Sequence, residues 1–289
     1  MINFRRILFP VDMSDQDKQA APFVKAMAHR FGSEIVILYV QEFQYPLYAA
    51  PEALTAESVE LMQVVREQQQ SAFESFIAAE FSGANRQKVL VEGNPAQEIV
   101  AYASKNDIGL IMLPTHGYGP FRRFLLGSVT AKVLHDAACP VCTGVHSPEP
   151  QKENPERCDL LLCAIDTDSR AARIIRWAAE FAREQLCDVQ LVHAIPAAEN
   201  PDDASDQPSL ESLFKSAHEQ IAGLQKEAGT SFAVTIRGGK PERVVHDLAQ
   251  DLNTDLVVIG RGDLAAPLGR LRTHAYSIIR ESPRPVISI

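Results

Sequence analysis

Short apolar runs alternate along the chain with longer stretches in which apolar residues recur every three or four positions, a pattern that predicts strands joined by helices. In the first half the strands fall at Arg6 to Pro10, Glu34 to Val40, Gln87 to Glu92, Ile108 to Leu113 and Pro140 to Thr143. The helix after the first strand opens at Ser14, a good N-cap residue, and sets Ala20, Val24, Met27 and Phe31 on one face. A second helix should bury Leu61, Val65, Ala72 and Phe76, a third begins at Pro95, and a fourth runs from Ser128 to about Ala137. Helices are expected again at Ser169 to Leu186, Leu210 to Ala228, Pro241 to Asp251 and Thr273 to Ser282.

The second half restates the first. Ile7-Leu8-Phe9-Pro10-Val11-Asp12 is answered by Leu161-Leu162-Cys163-Ala164-Ile165-Asp166, Gly93-Asn94-Pro95 by Gly239-Lys240-Pro241, and Pro140-Val141 by Pro285-Val286. A period of about 145 residues is far too long for a solenoid and indicates a duplicated domain. We therefore expect domains at residues 1–146 and 158–289, with the Pro-, Glu- and Lys-rich stretch 147–157 as the linker. Strands apolar on both faces and joined by helices imply an α/β fold: two tandem five-stranded parallel-sheet domains with helices on both faces. The final apolar strands are edge candidates needing cover, which predicts pairing of the two domains within the chain; a homodimer is compatible with the same reasoning.

Composition changes this picture little: 46% hydrophobic and 22% charged residues suit a globular protein with a sizeable core. The charge has more to say. With 28 Lys and Arg against 37 Asp and Glu, net −9, general nucleic-acid or anionic-membrane binding is disfavoured. The longest obvious apolar run, Leu160 to Ile165, is strand-sized, and the start lacks the apolar core of a secretory signal, so a cytoplasmic location is expected. Five cysteines suit a reducing compartment, with inert thiols as the expectation. Cys139-Pro140-Val141-Cys142 has redox spacing but lies in a strand-like run, where positions i and i+3 point to opposite faces. No metal site is predicted, since no second Cys pair and no H-x-x-x-H accompanies it.

In parallel sheets ligands sit at the carboxyl ends of the strands. Asp12 closes the first strand there, where its carboxylate could accept hydrogen bonds from a ribose or adenine group, or alternatively cap the following helix together with Ser14. Residues 113–128 form a glycine-bearing loop between the fourth strand and the last helix of the first half, and Gly127-Ser128 opens that helix. Free N–H groups, the positive end of the helix dipole and a hydroxyl would converge where a phosphate could bind.

Thr115-His116-Gly117, nine residues, then Gly127-Ser128, taken with Pro10-Val11-Asp12 and Cys139-Pro140-Val141, closely resembles the universal stress protein family. The likeness covers both halves, so the chain looks like a tandem member, on a fold resembling the adenine-nucleotide α-hydrolases. The resemblance implies an adenine nucleotide, ATP or AMP, with magnesium as its companion. Carried over, Asp12 and Val40 would hold adenine and ribose, and Gly117, Gly127 and Ser128 the phosphates. Thr115 and His116 would line the loop, and Pro10, Val11 and Val129 would complete the site.

Two departures bear on that expectation. Pro114 stands where the family's first glycine would be; lacking an N–H, it removes one donor, worth about tenfold to a hundredfold in affinity. In the second half the loop Ile259-Gly260-Arg261-Gly262 is one residue short, Arg272-Thr273 replaces Gly127-Ser128, and Ala194 replaces Val40, although Asp166 remains. Arg261, Arg270 and Arg272 could form an anion site or serve as solvated or interdomain arginines. No catalytic constellation completes itself around His116. Three functions stay open: a nucleotide-binding stress-response or signalling module, a nucleotide-free interaction module, or a slow ATPase.

Overall fold

The computed structural model describes residues 2–42, 56–114, 126–144, 157–168, 170–195, 210–261 and 273–289. The first half runs β1 (Arg6–Val11), α1 (Asp15–Phe31), β2 (Glu34–Gln41), α2 (Ala56–Glu80), β3 (Arg86–Glu92), α3 (Pro95–Lys105), β4 (Leu110–Met112), α4 (Ser128–Asp136) and β5 (Val141–Thr143). The second repeats the order as β6 (Leu160–Ala164), α5 (Ala171–Gln185), β7 (Asp188–Ile195), α6 (Leu210–Ala228), β8 (Ala233–Gly238), α7 (Pro241–Asp251), β9 (Leu256–Ile259), α8 (Thr273–Glu281) and β10 (Val286–Ser288). The alternation read from the sequence is thus the alternation observed.

All ten strands join one sheet, ordered β3-β2-β1-β4-β5-β10-β9-β6-β7-β8. Within each half every pairing is parallel, β1 lying between β2 and β4 as β6 lies between β7 and β9. The halves meet at the one antiparallel pair, β5 against β10, with Val286, Ile287 and Ser288 opposite Thr143, Cys142 and Val141. The two apolar edges thereby satisfy one another.

Alternation along β1 sends Ile7, Phe9 and Val11 to one face and Leu8 to the other. The first face is covered by α1, α2, α5 and α6, the second by α3, α4, α7 and α8. Each layer runs across both halves. Where α1 meets α5, Phe4, Phe31, Trp177 and Phe181 pack ring against ring, with centroids 4.8 to 6.2 Å apart. The backbone N–H of Ile2 also donates to Glu184 Oε1 at 3.2 Å.

Arg261 resolves one of the alternatives left open by the sequence. It lies just beyond β9, only 5% exposed, and its guanidinium crosses to the first half. There Nη1 donates to the carbonyls of Leu134 and Ala137 at 2.9 and 3.2 Å, and Nη2 to that of Cys139 at 2.6 Å. It is an interdomain arginine, capping the carboxyl end of α4, where the helix dipole favours a cation. Arg270, Arg272 and Gly262 lie outside the described residues.

α2 corrects an expectation about its buried face. Phe73, Phe76 and Ile77 form the buried stripe, while Leu61 is 65% and Val65 42% exposed and Ala72 also faces out. The carboxyl half of the helix lies on the sheet, so only there does helical spacing translate into burial. Phe73→Ala should therefore cost about 3 to 5 kcal/mol and Leu61→Ala less than about 0.5 kcal/mol in chemical denaturation. Arg261→Met, which keeps most of the volume but removes every donor, should lower stability by about 3 kcal/mol, read as a shift in urea midpoint.

Candidate functional site

The carboxyl ends of β1, β2 and β4 open into a cleft of about 1010 Å³, at the upper end of the roughly 300 to 1,000 Å³ typical of small-molecule sites. Its floor is apolar, from Pro10, Val11, Leu38, Val40, Ile99 and Leu113. Asp12 and Ser14 stand on one side, and Leu126, Gly127, Ser128, Val129 and Thr130 on the other. The amino half of α2 supplies Leu61, Met62, Val65, Arg66 and Gln69, which explains why these positions are not in the core. Pro10, Val11, Asp12, Val40, Gly127, Ser128 and Val129 are thus brought together; Thr115, His116 and Gly117 lie outside the described residues.

The turn from β1 into α1 is tightly bonded. Met13 is left-handed at φ 64°, which is uncommon for a residue with a side chain. Asp12 Oδ1 accepts from the Ser14 N–H at 2.9 Å, and the Asp12 N–H donates to Asp17 Oδ2 at 2.8 Å. Ser14 Oγ, as N-cap, accepts from the Asp17 N–H at 3.4 Å. Asp12 thus braces the turn and also borders the cleft, so capping and ligand contact are not alternatives here. Burial, then the charge and the hydrogen-bonded carboxyl of Asp12, push Asp17 up to about 8, so it carries a proton at neutral pH. Tyr39 is raised as well, by burial and then by Asp12 and Glu42.

Sequence reasoning passed over Asp17. Ser14-Asp15-Gln16-Asp17 has the spacing of a capping box with an acid in the third position, a signal that would have been read as helix capping alone. In such a box the acid takes the N-cap N–H; here Asp12 takes it, and Asp17 reaches the N–H of Asp12. The α2 residues Arg66 and Gln69 were likewise unreadable, because their place depends on where α2 projects beyond the sheet.

Across the cleft, Gly127 rather than Ser128 is the N-cap of α4; Ser128 is the first helical residue, and among the described residues no side chain caps the helix. A glycine N-cap brings no side-chain acceptor of its own to the amides of the first turn. Gly127 has φ −59° and ψ 144°, open to any residue, and a Cβ there would meet nothing closer than Thr130 Oγ1 at 3.6 Å. Neither backbone nor packing requires glycine; its effect is to keep the cleft side open. Pro114 also lines the cleft, and its carbonyl accepts from Thr130 Oγ1 at 3.1 Å, tying α4 to the end of β4.

The equivalent place in the second half holds a cavity of only about 140 Å³. Ile174 on α5 borders it and packs against Gly260, where a Cβ would lie 2.3 Å from Ile174 Cδ1. At the matching distance from the strand-end aspartate, α1 carries the smaller Ala20. Asp166 accepts from the Thr167 N–H at 2.9 Å, and Asp168 pairs with Arg170.

Neither cysteine of the C-x-x-C sequence is in a disulfide. Cys142 is buried in β5 and burial pushes its thiol well above the usual range, while Cys139 is half-buried. A thiol pair the sequence did not suggest does occur, Cys158 and Cys187 being hydrogen-bonded to one another at the start of β6 and β7. Among the described residues no group of three His, Cys, Asp or Glu is placed to hold a metal ion, and no helix is long and apolar enough to cross a membrane.

Comparison with known proteins gives a consistent result. The profile of the universal stress protein family matches residues 3–143 and again residues 159–289. The universal stress protein MJ0531 of Methanocaldococcus jannaschii is 32% identical over 139 residues, 48% of this chain and 80% of its own length. A universal stress protein of Thermus aquaticus is 30% identical over 141 residues, 48% of this chain and 96% of its own length. In overall fold, the crystal structure of a universal stress protein from Archaeoglobus fulgidus superposes with a TM-score of 0.68 at 21% identity, covering 99% of this chain and 98% of that one. With the family's pattern present twice and the doubled architecture shared end to end, the chain belongs to the universal stress protein family.

Proposed function

We propose that this chain is a cytoplasmic stress-response or signalling module that binds an adenine nucleotide, ATP or AMP, in the cleft of its first half. The observation that carries the reading is the pairing across one cleft of Asp12 with the amino end of α4 at Gly127, an N-cap with no side chain of its own. An adenine ring suits the apolar floor at Val11, Leu38 and Val40, and ribose hydroxyls suit the Asp12 carboxylate. The phosphates would take the amides of Gly127, Ser128 and Val129 and the Ser128 hydroxyl, a helix start being a favourable place for an anion. Thr115, His116 and Gly117 are proposed to contribute to the phosphate end of the site. Magnesium would accompany the phosphates rather than occupy a protein-built site.

The second half is proposed to serve as the structural partner of the first rather than as an equal site. Ile174 packs against Gly260, and Arg261 is committed to the carbonyls of the first half.

Isothermal titration tests the reading. The wild-type protein should bind ATP or AMP with a micromolar dissociation constant, and ligand at 100 times that constant should add about 2.7 kcal/mol of stability. Gly127→Glu, which the backbone and the 3.6 Å clearance tolerate, should weaken binding at least about tenfold while leaving the unfolding midpoint near wild type. A folded wild-type protein with no measurable binding at millimolar nucleotide would overturn it.

A further inference from the structure

Asp17 is part of the cleft lining beside Asp12, only 2% exposed, with its carboxyl against that of Asp12 and its Oδ2 on the Asp12 N–H. Two carboxyls in contact, one of them desolvated, cannot both ionise cheaply, so the pair holds one proton between them. Burial assigns that proton to Asp17, whose hydroxyl then donates to the exposed Asp12 carboxylate. Asp12 is in this way held through its side chain and its backbone, in a turn already strained at Met13.

We infer that Asp17 is a positioning residue of the nucleotide cleft: its proton-bearing carboxyl holds Asp12 at the cleft mouth, and affinity for the sugar end of the ligand falls when that proton is lost. The inference rests on the nucleotide reading above.

The surrounding charges favour this arrangement. Asp12, from the end of β1, is the charge acting on Asp17. Tyr39 of β2 and Glu42 just beyond it border the same cleft, and Tyr39 is raised by burial first and then by the Asp12 and Glu42 carboxylates, so this corner is acidic. Arg66 on α2 also lines the cleft, half-exposed and 3.8 Å from Glu92. On α1 itself, Asp15 pairs with Lys18 at 2.8 Å on the exposed side of the helix.

Losing the proton removes the O–H donor and sets two carboxylates against one another, so Asp12 must turn away. Asp17→Asn is the discriminating variant, because an amide is a neutral copy of the protonated acid: its oxygen can keep the Asp12 N–H and its NH₂ can donate to the Asp12 carboxylate at any pH. ATP affinity of the wild-type protein should fall about tenfold between pH 7 and 9, a range in which phosphates, with a second pKa near 6, are already ionised. Asp17→Asn should hold its affinity across that range, and Asp17→Ala should bind weakly throughout. Equal pH profiles for wild type and Asp17→Asn would overturn the inference.

A second measurement needs no nucleotide. The folded Asp17 keeps its proton up to about 8, whereas an unfolded Asp releases it near 4. The stabilisation is therefore complete below about pH 4 and lost as pH rises through 8. Thermal unfolding of the ligand-free protein should show wild-type stability declining relative to Asp17→Asn from pH 5 to 8 and levelling off above. Parallel curves would overturn the shared proton whatever the ligand. The expected decline without ATP binding at any pH would instead overturn the nucleotide reading and, with it, the role of Asp17 in affinity.

Discussion

The antiparallel ladder between β5 and β10 is the contact on which the architecture turns. Each half by itself would end in a three-residue strand, buried in type and open along one side. Placed edge to edge, the two strands exchange backbone hydrogen bonds, Thr143 Oγ1 donates to the carbonyl of Val286, and Ser288 Oγ donates to that of Val141. Two five-stranded sheets become one of ten, and the helical layers on both faces become continuous.

That union explains how similar halves diverge. The loop after β9 begins beside the seam, and Arg261 at its start has three carbonyl partners across it. A guanidinium buried there is stabilising only while those bonds persist, so the residue is withdrawn from any role at its own strand ends. Ile174 packs against Gly260, and the cavity there is about 140 Å³ against about 1010 Å³ in the first half.

In the first half the chemistry is concentrated in six residues. Asp12 closes β1, Met13 turns left-handed, Ser14 starts α1, and Asp17 reaches back from its first turn. A turn so bonded holds Asp12 at the cleft with little freedom to move, and its counterpart across the cleft is a helix start whose N-cap, Gly127, has no side chain. An acidic wall facing an electropositive end suits a ligand with a hydroxyl-bearing sugar and an anionic tail.

Alternation of apolar runs with helical spacing, and the doubled Pro10-Val11-Asp12-like and Gly93-Asn94-Pro95-like stretches, were enough to read fold class, element order and duplication, because burial imposes those periods on any strand or helix of a parallel sheet. That Asp12, Val40 and Gly127 would border one cleft was legible for a related reason: strand ends and helix starts have fixed places in such a sheet. Asp17, Arg66 and the exposure of Leu61 were not, since each depends on how far a helix extends beyond the strands or on which of two hydrogen bonds a side chain makes. Arg261 shows the same division, for its charge and position are written in the chain. Whether that charge meets a ligand or the carbonyls of α4 was decided only when the two halves closed edge to edge, which brings together residues more than 120 apart.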